Sequence, residues 1–465
     1  MPRESAGAKA SLAAVASGVA LTLVAPEALG DFLRKGPWLM DLHPTSVVVL
    51  VERAEAGTIT VRAELLGPPS RELRGRPWVG PPTPPVVVES PVPAMLHEVT
   101  LPGLRPGMRY RYHVQAPDLD GATGTFTTPP LEAAPFRFAV YGDTRSGTSR
   151  HRQTVAAVQR FAPDFVLHTG DLVGDGTKLE DWQTFFDVER PLLINTPLVP
   201  VVGNHEIIRP LASGLYNYRR FVHVDPTGPA PELDYVFRFA NARFILANAY
   251  DDWTGVARDW LAGELARARR EGPNDWLFVA MHWGPRSAGV HGNNRLLHEA
   301  RVDDLLRRAR VDLVFAGHDH VYERGDDHGL RYIVSGGGGA GLYGQLHPHH
   351  ATQVFASEHH FVLVEIDHDR LVLSARRIDG TVIDQVGLTH DGWTEAPRAL
   401  AGPPRPAPLT GSPPAPPEAP PEPPRPLPTP RVDPTRLRLA DLGPALLALL
   451  VLGVGVGWRK RQPVG

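Results

Sequence analysis

The middle of the chain is built from short, mostly apolar runs that each end in a characteristic set of polar residues. Such runs lie at 136–141, 165–169, 198–202, 276–281 and 311–316. Their length and their Gly-bounded ends predict strands buried on both faces, as in a parallel sheet. Between them, periodic stretches at 150–161, 256–270 and 295–310 predict amphipathic helices. Alternating strands and helices predict an α/β domain over 135–390. The runs lead into Gly142-Asp143, Gly170-Asp171, Gly203-Asn204-His205-Glu206, His282 and Gly317-His318-Asp319-His320. Ligands of an open α/β sheet collect at the carboxyl ends of its strands, so these distant residues are expected to converge. A glycine before Asp143, Asp171, Asn204 and His318 eases the sharp turn off a strand.

Residues 36–128 follow another pattern. β-branched and aromatic runs at 46–52, 58–64, 97–101 and 110–115 are separated by Gly and Pro turns, which predicts a small β-sandwich. LPGLRPGMRYRY at 101–112 and GTFTT at 124–128 resemble the end of a fibronectin type III domain. The segment carries no obvious catalyst, and its expected role is to pack against the α/β domain.

The two ends point to export. Arg3 and Lys9 precede an uncharged stretch rich in Ala, Val and Leu at 11–26, the layout of a signal peptide over 1–30. At the other end, 402–435 reads as a proline-rich, extended stalk, with fifteen prolines between 402 and 430. Residues 442–458 contain no ionisable group and, at 1.5 Å rise per residue, lie at the short limit for a single transmembrane helix. Arg459, Lys460 and Arg461 then place a basic tail, 459–465, in the cytoplasm. The expectation is an exported protein, anchored in the cell membrane with its catalytic part outside.

Composition narrows the chemistry. A net charge of −3 gives no basic field for nucleic acid, and no basic stripe with interleaved aromatics appears. The absence of cysteine excludes disulfides, thiolate metal sites and cysteine nucleophiles, whereas 20 histidines keep imidazole chemistry open. Two aspartates, an asparagine and three histidines at the strand ends are hard-to-borderline donors. They suit two divalent ions such as Fe, Mn or Zn better than calcium, which avoids imidazole. His318 and His320 alternate along the chain and can reach neighbouring ions.

This ordered set resembles the calcineurin-like metallophosphoesterase family. GNHE at 203–206 and GHDHVYER at 317–324 are more specifically similar to its purple acid phosphatase branch, over roughly 36–390. The resemblance implies a two-sheet α/β sandwich and two metal ions. Asp171 would bridge them, Asn204, His282 and His318 would complete one site, and Asp143 and His320 would belong to the other. His205 and His291 would lie beside a small phosphate-ester substrate as candidate general acids. Two such cations would acidify a shared water, clamp the phosphoryl oxygens and hydrolyse a phosphomonoester without a protein nucleophile. The alternatives are a phosphodiesterase or nucleotidase on the same site, and a catalytically degenerate surface-binding protein.

Two positions depart from the pattern. Gly174 stands where the branch has a metal-binding Tyr, and Arg145 stands where the wider family has a His. The site of Asp143 and His320 is therefore a ligand short, with water, His151 or Asp175 as candidates to fill it. Without the tyrosinate the centre is expected not to be purple, to prefer divalent metal and to work nearer neutral pH. Arg145 is a candidate to hold phosphate oxygens in paired hydrogen bonds; the structural alternative is an ion pair with Asp175 or Glu180. Glu206 is read either as orienting His205 or as supporting Asn204. His349, His350, His359 and His360 fall outside the motif order and receive no role.

Overall fold

The computed structural model describes residues 33–69, 80–116, 121–207 and 213–396. The segments read as signal peptide (1–30), stalk (402–435), transmembrane helix (442–458) and basic tail (459–465) lie outside the described residues. Among the described residues no helix is long and apolar enough to cross a membrane.

The N-terminal region is all antiparallel strand: β1 (Leu33–His43), β2 (Ser46–Gly67), β3 (Val86–Leu101), β4 (Arg109–Gln115) and β5 (Thr123–Thr127). The runs at 46–52 and 58–64, read as separate strands, are halves of β2. Its first half pairs with β1 and its second half with β4, while β3 follows it along both. Register shifts on either side of Gly57 bend this pair, so the expected two layers are hydrogen-bonded into one continuous five-stranded sheet.

Two seven-stranded sheets follow. One contains β6 (Phe136–Tyr141), β7 (Phe165–His168) and β8 (Leu198–Pro200), paired in parallel, and is extended through β6 by the antiparallel β16 (His360–Asp367), β17 (Arg370–Arg377), β18 (Val382–Thr389) and β19 (Gly392–Thr394). The other has a parallel centre of β10 (Ala242–Leu246), β11 (Trp276–Ala280), β12 (Leu313–Ala316) and β14 (Leu330–Ser335). It is flanked by β9 (Tyr235–Phe239) on one side and by β13 (Tyr322–Asp327) and β15 (Thr352–Ala356) on the other. The period of two along these strands explains the layering. Phe244, Phe278 and Phe315 point between the sheets, where Phe138 meets them at centroid distances of 5.2, 6.2 and 5.9 Å. Their neighbours Ile245, Val279 and Val314 point outward into a second apolar cluster with Leu261 and Leu265 of α4 (Val256–Glu271).

On the other outer face lie α1 (Thr148–Gln159) and α2 (Leu179–Leu193), the latter followed later by α3 (Ser213–Phe221). The single helix expected over 295–310 is two, α5 (Arg295–Glu299) and α6 (Val302–Arg308). Arg301 between them is left-handed with φ 56°, and Arg258 Nε takes the Ala300 carbonyl at 2.8 Å, so the chain turns instead of continuing.

The β-rich region packs on α2 and its exit. Trp38 packs on Phe186 with ring centroids 4.3 Å apart and donates from Nε1 to the Phe221 carbonyl at 3.2 Å; Tyr112 Oη donates to the Ile194 carbonyl at 2.9 Å. Trp38 is 1% exposed. Trp38→Ala is therefore expected to lower the unfolding free energy by about 3–5 kcal/mol, measured by denaturant titration, since it deletes a buried indole at a contact spanning both regions.

Candidate metal centre

The carboxyl ends of β6, β7, β8, β11 and β12 meet at one place, and the backbone there is unusual. Asp143, Asp171 and His318 all take left-handed conformations, with φ of 56°, 53° and 70°. Such conformations are unfavourable for residues with a Cβ and are tolerated where the surrounding structure fixes them, as at functional sites. Here backbone pairing does so: Asp143 N donates to the Gly170 carbonyl at 2.9 Å and Ala340 N to the Asp143 carbonyl at 2.8 Å. Gly203 is required sterically, because a Cβ would lie 2.2 Å from Asp171 Oδ1.

The side chains converge. Asp143, Asp171 and His282 are buried, with ligand atoms within 4.8 Å of one another. His282 Nδ1 donates to the Thr169 carbonyl at 2.6 Å, which turns Nε2 toward Asn204 Oδ1 at 3.2 Å, Asp171 Oδ1 at 3.3 Å and Asp143 Oδ1 at 4.0 Å. Asp143 Oδ1 is itself buried without a hydrogen-bond partner. Such an oxygen is costly unless a cation faces it, so this donor set fits a divalent ion. The electrostatics agree. Burial pushes the His282 imidazole down, yet Asp171 and Asp143 outweigh it and raise the ring to about 9. His318, depressed to about 2 by burial and then by neighbouring His282, offers a lone pair; its backbone N–H donates to Asp143 Oδ2 at 3.0 Å.

The remaining candidates surround this group. His320 Nε2 lies 3.5 Å from Asp143 Oδ1, and its Nδ1 donates to the Gly341 carbonyl. Arg145 Nε donates to Asp171 Oδ2 at 3.2 Å and its Nη2 to His320 Nε2 at 3.3 Å. Arg145 thus pairs with Asp171, not with Asp175 or Glu180. His205 donates from its backbone N to Asp171 Oδ1 at 3.0 Å and from Nδ1 to the Gly174 carbonyl, leaving Nε2 3.8 Å from Asp171 Oδ2. His291 is exposed, its ring stacked 4.1 Å from that of His318.

Neither side chain considered for the missing ligand is available. His151 is buried against Glu189 Oε1 at 2.7 Å, and Asp175 Oδ1 accepts from the Thr177 hydroxyl and N–H at 2.7 and 3.0 Å. Glu206 bonds neither His205 nor Asn204 through its side chain. Its fully buried carboxylate accepts from the backbone N–H groups of Asp171, Val173 and Gly203 and so ties the loops after β7 and β8 together. Burial and the Asp171 charge push it up to about 8. The other donor group, Asp327, His328 and His350, has its carboxylate already matched by Arg286 and Arg307, each at 2.7 Å.

Sequence reasoning gave no role to Asp319, which accepts from Ser287 Oγ at 2.5 Å and His291 N at 2.9 Å and so fixes the loop bearing His291. The signal was its place inside the GHDH motif. Tyr250 Oη donates to Asn204 Oδ1 at 3.1 Å, Tyr141 Oη to Glu189 and Tyr322 Oη to Asp384. None of these three hydroxyls bonds to Asp143 or His320. Iron-loaded protein is accordingly expected to lack a visible tyrosinate band; an intense band lost on changing a single tyrosine, Tyr343 on the His320 ring included, contradicts this.

Comparison with known proteins places this geometry. Residues 136–322 match the calcineurin-like phosphoesterase family. Purple acid phosphatase 23 of Arabidopsis thaliana is 30% identical over 290 residues, covering 53% of this chain and 62% of the relative. A phosphoenolpyruvate phosphatase of Allium cepa is 28% identical over 251 residues, covering 49% and 50%. The chain thus spans about half to three fifths of the length of these relatives. The purple acid phosphatase of yellow lupin (Lupinus luteus) seeds has the same fold, with a TM-score of 0.63 at 19% identity over 76% of this chain and 74% of that one. With these loops at the ends of the expected strands, residues 136–322 form a calcineurin-like phosphoesterase domain, in a chain whose relatives include purple acid phosphatases.

Proposed function

We propose that this protein is a metal-dependent phosphoester hydrolase acting on a small phosphomonoester. The observation that carries the reading is the convergence of Asp143, Asp171 and His282 on a buried carboxylate oxygen that has no hydrogen-bond partner. Asp171, Asn204, His282 and His318 would hold one ion of the Mn, Fe or Zn type, while Asp143 and His320 furnish part of the second position that the family resemblance implies. A divalent ion bound there supplies Lewis acidity and lowers the pKa of water enough for hydrolysis near neutral pH.

The protein's own groups do the rest. Arg145 presents a permanently charged guanidinium that can hold phosphoryl oxygens by paired hydrogen bonds. His205, pinned through Nδ1 on the Gly174 carbonyl, keeps Nε2 toward the site, where it can pass a proton to the leaving oxygen. His291, on the loop fixed by Asp319, stacks on the ring of His318. Likeness to a phosphoenolpyruvate phosphatase favours a small monoester over a diester. The proposal includes export and membrane tethering, supported by the charge and apolar pattern at 1–30 and 442–461.

The test is hydrolysis by metal-loaded protein of 4-nitrophenyl phosphate against bis(4-nitrophenyl) phosphate. The expected kcat/KM for the monoester is at least about tenfold higher, a difference of ~1.4 kcal/mol in transition-state stabilisation. Preference for the diester would overturn the substrate class.

A further inference from the structure

We propose that Arg145 fills the second metal position with its own guanidinium, so that the protein retains one divalent ion per chain and not two. The inference rests on the reading of the site as a metal centre and departs from the family resemblance at a single position.

Sequence and geometry carry it independently. Both departures from the family pattern fall on the side of the site formed by Asp143 and His320: Gly174 offers no side chain, and Arg145 replaces a neutral ring with a cation. The structure then brings that cation onto ligand atoms. Arg145 Nε lies 3.2 Å from Asp171 Oδ2, the oxygen turned away from His282, while Arg145 Nη2 lies 3.3 Å from His320 Nε2. The hydrogen bonding of His320 makes the second contact specific. Its Nδ1 faces the Gly341 carbonyl and carries the proton, so Nε2 presents a lone pair, and that lone pair accepts from Arg145. The guanidinium is therefore satisfied by the same carboxylate oxygen and imidazole nitrogen that a second ion would need.

Its placement does not depend on a long, free side chain. Thr144 N and Arg145 N both donate to the Asp171 carbonyl, at 3.1 and 3.4 Å, so the residue starts against the bridging loop. Its side chain is 20% exposed and its partner Asp171 2%. No other side chain considered for the vacant ligand role relieves the shortage, since His151 is committed to Glu189 and Asp175 to Thr177. The Gly174 carbonyl is also taken, by His205 Nδ1.

The first position is built the opposite way. Asn204 Oδ1 and Asp171 Oδ1 lie 3.2 and 3.3 Å from His282 Nε2, and among the described residues no Arg or Lys side chain bonds to any of these three atoms. A divalent ion is expected there. Beside it, a guanidinium that cannot lose its proton would repel a second dication while leaving a positive, forked donor for phosphoryl oxygens.

The test is metal stoichiometry. Full-length protein is stripped with chelator, saturated with Mn(II), desalted and analysed for metal by mass spectrometry and for Mn(II) by electron paramagnetic resonance. The expected wild-type result is about one ion per chain with the resolved hyperfine pattern of an isolated Mn(II). Arg145→His, which restores the family's imidazole and removes the charge, is expected to hold about two ions with a spin-coupled signal. About two retained ions in the wild type, or about one in folded Arg145→His, overturns the inference and leaves the metalloenzyme reading standing. A wild-type value near zero overturns both. Should Arg145→His not fold, Arg145→Gln is expected to take up a second Mn(II) at concentrations where the wild type takes none, and equal uptake by the two overturns the proposal.

Discussion

Asp171→Ala is expected to abolish phosphoester hydrolysis, lowering kcat/KM by at least about 10³-fold, because the several kcal/mol of charge stabilisation supplied by a bound ion depart with its carboxylate. The structure shows how much hangs on this side chain. Oδ1 faces His282 Nε2 at 3.3 Å and accepts from His205 N at 3.0 Å, while Oδ2 accepts from Arg145 Nε at 3.2 Å. A single truncation removes a ligand, frees the Arg145 guanidinium and loosens the His205 loop. It also leaves His282, held up at about 9 by Asp171 and Asp143, with one fewer carboxylate. Retained metal with undiminished turnover in folded Asp171→Ala would remove the basis of the proposed chemistry. Circular dichroism and thermal melting separate that outcome from unfolding.

His205→Ala is expected to lower kcat by about 10²–10⁴-fold on an alkyl phosphate, whose leaving oxygen needs a proton, and by less than about tenfold on 4-nitrophenyl phosphate, whose leaving group does not. The split is the informative part. His205 is held at two points, backbone N on Asp171 and ring Nδ1 on the Gly174 carbonyl, so its free Nε2 is aimed and not merely nearby. Equal losses on both substrates would make His205 a positioning residue; loss of the same pattern in His291→Ala alone would move the proton-donating role to His291.

The candidate site was legible because its residues sit where strand chemistry shows in sequence. Gly142-Asp143, Gly170-Asp171 and Gly317-His318 each follow an apolar run, and the polar residue after each glycine adopts the left-handed turn that the break in pattern suggests. The central strands β6, β7, β8, β11 and β12 were legible as short apolar runs, in which inward Phe278 and Phe315 sit beside outward Val279 and Val314. Three things were not. The break of 295–310 at Arg301 depends on Arg258, 42 residues from the carbonyl it takes. The continuity of β2 depends on bulges that let one strand pair with three others. The partner of Arg145 was sought at Asp175 or Glu180, whereas the fold supplies Asp171, at the end of the neighbouring strand, and a histidine 175 residues away. Local pattern reveals which residues leave a strand; it does not reveal which side chain reaches across.

The most direct measurement is hydrolysis of 4-nitrophenyl phosphate by chelator-stripped protein during titration with Mn(II) or Zn(II). The account predicts no turnover in the stripped protein, recovery that saturates with added metal, and no recovery in Asp171→Ala. Full turnover by protein shown to be metal-free, or none after reloading of the folded wild type, would contradict it.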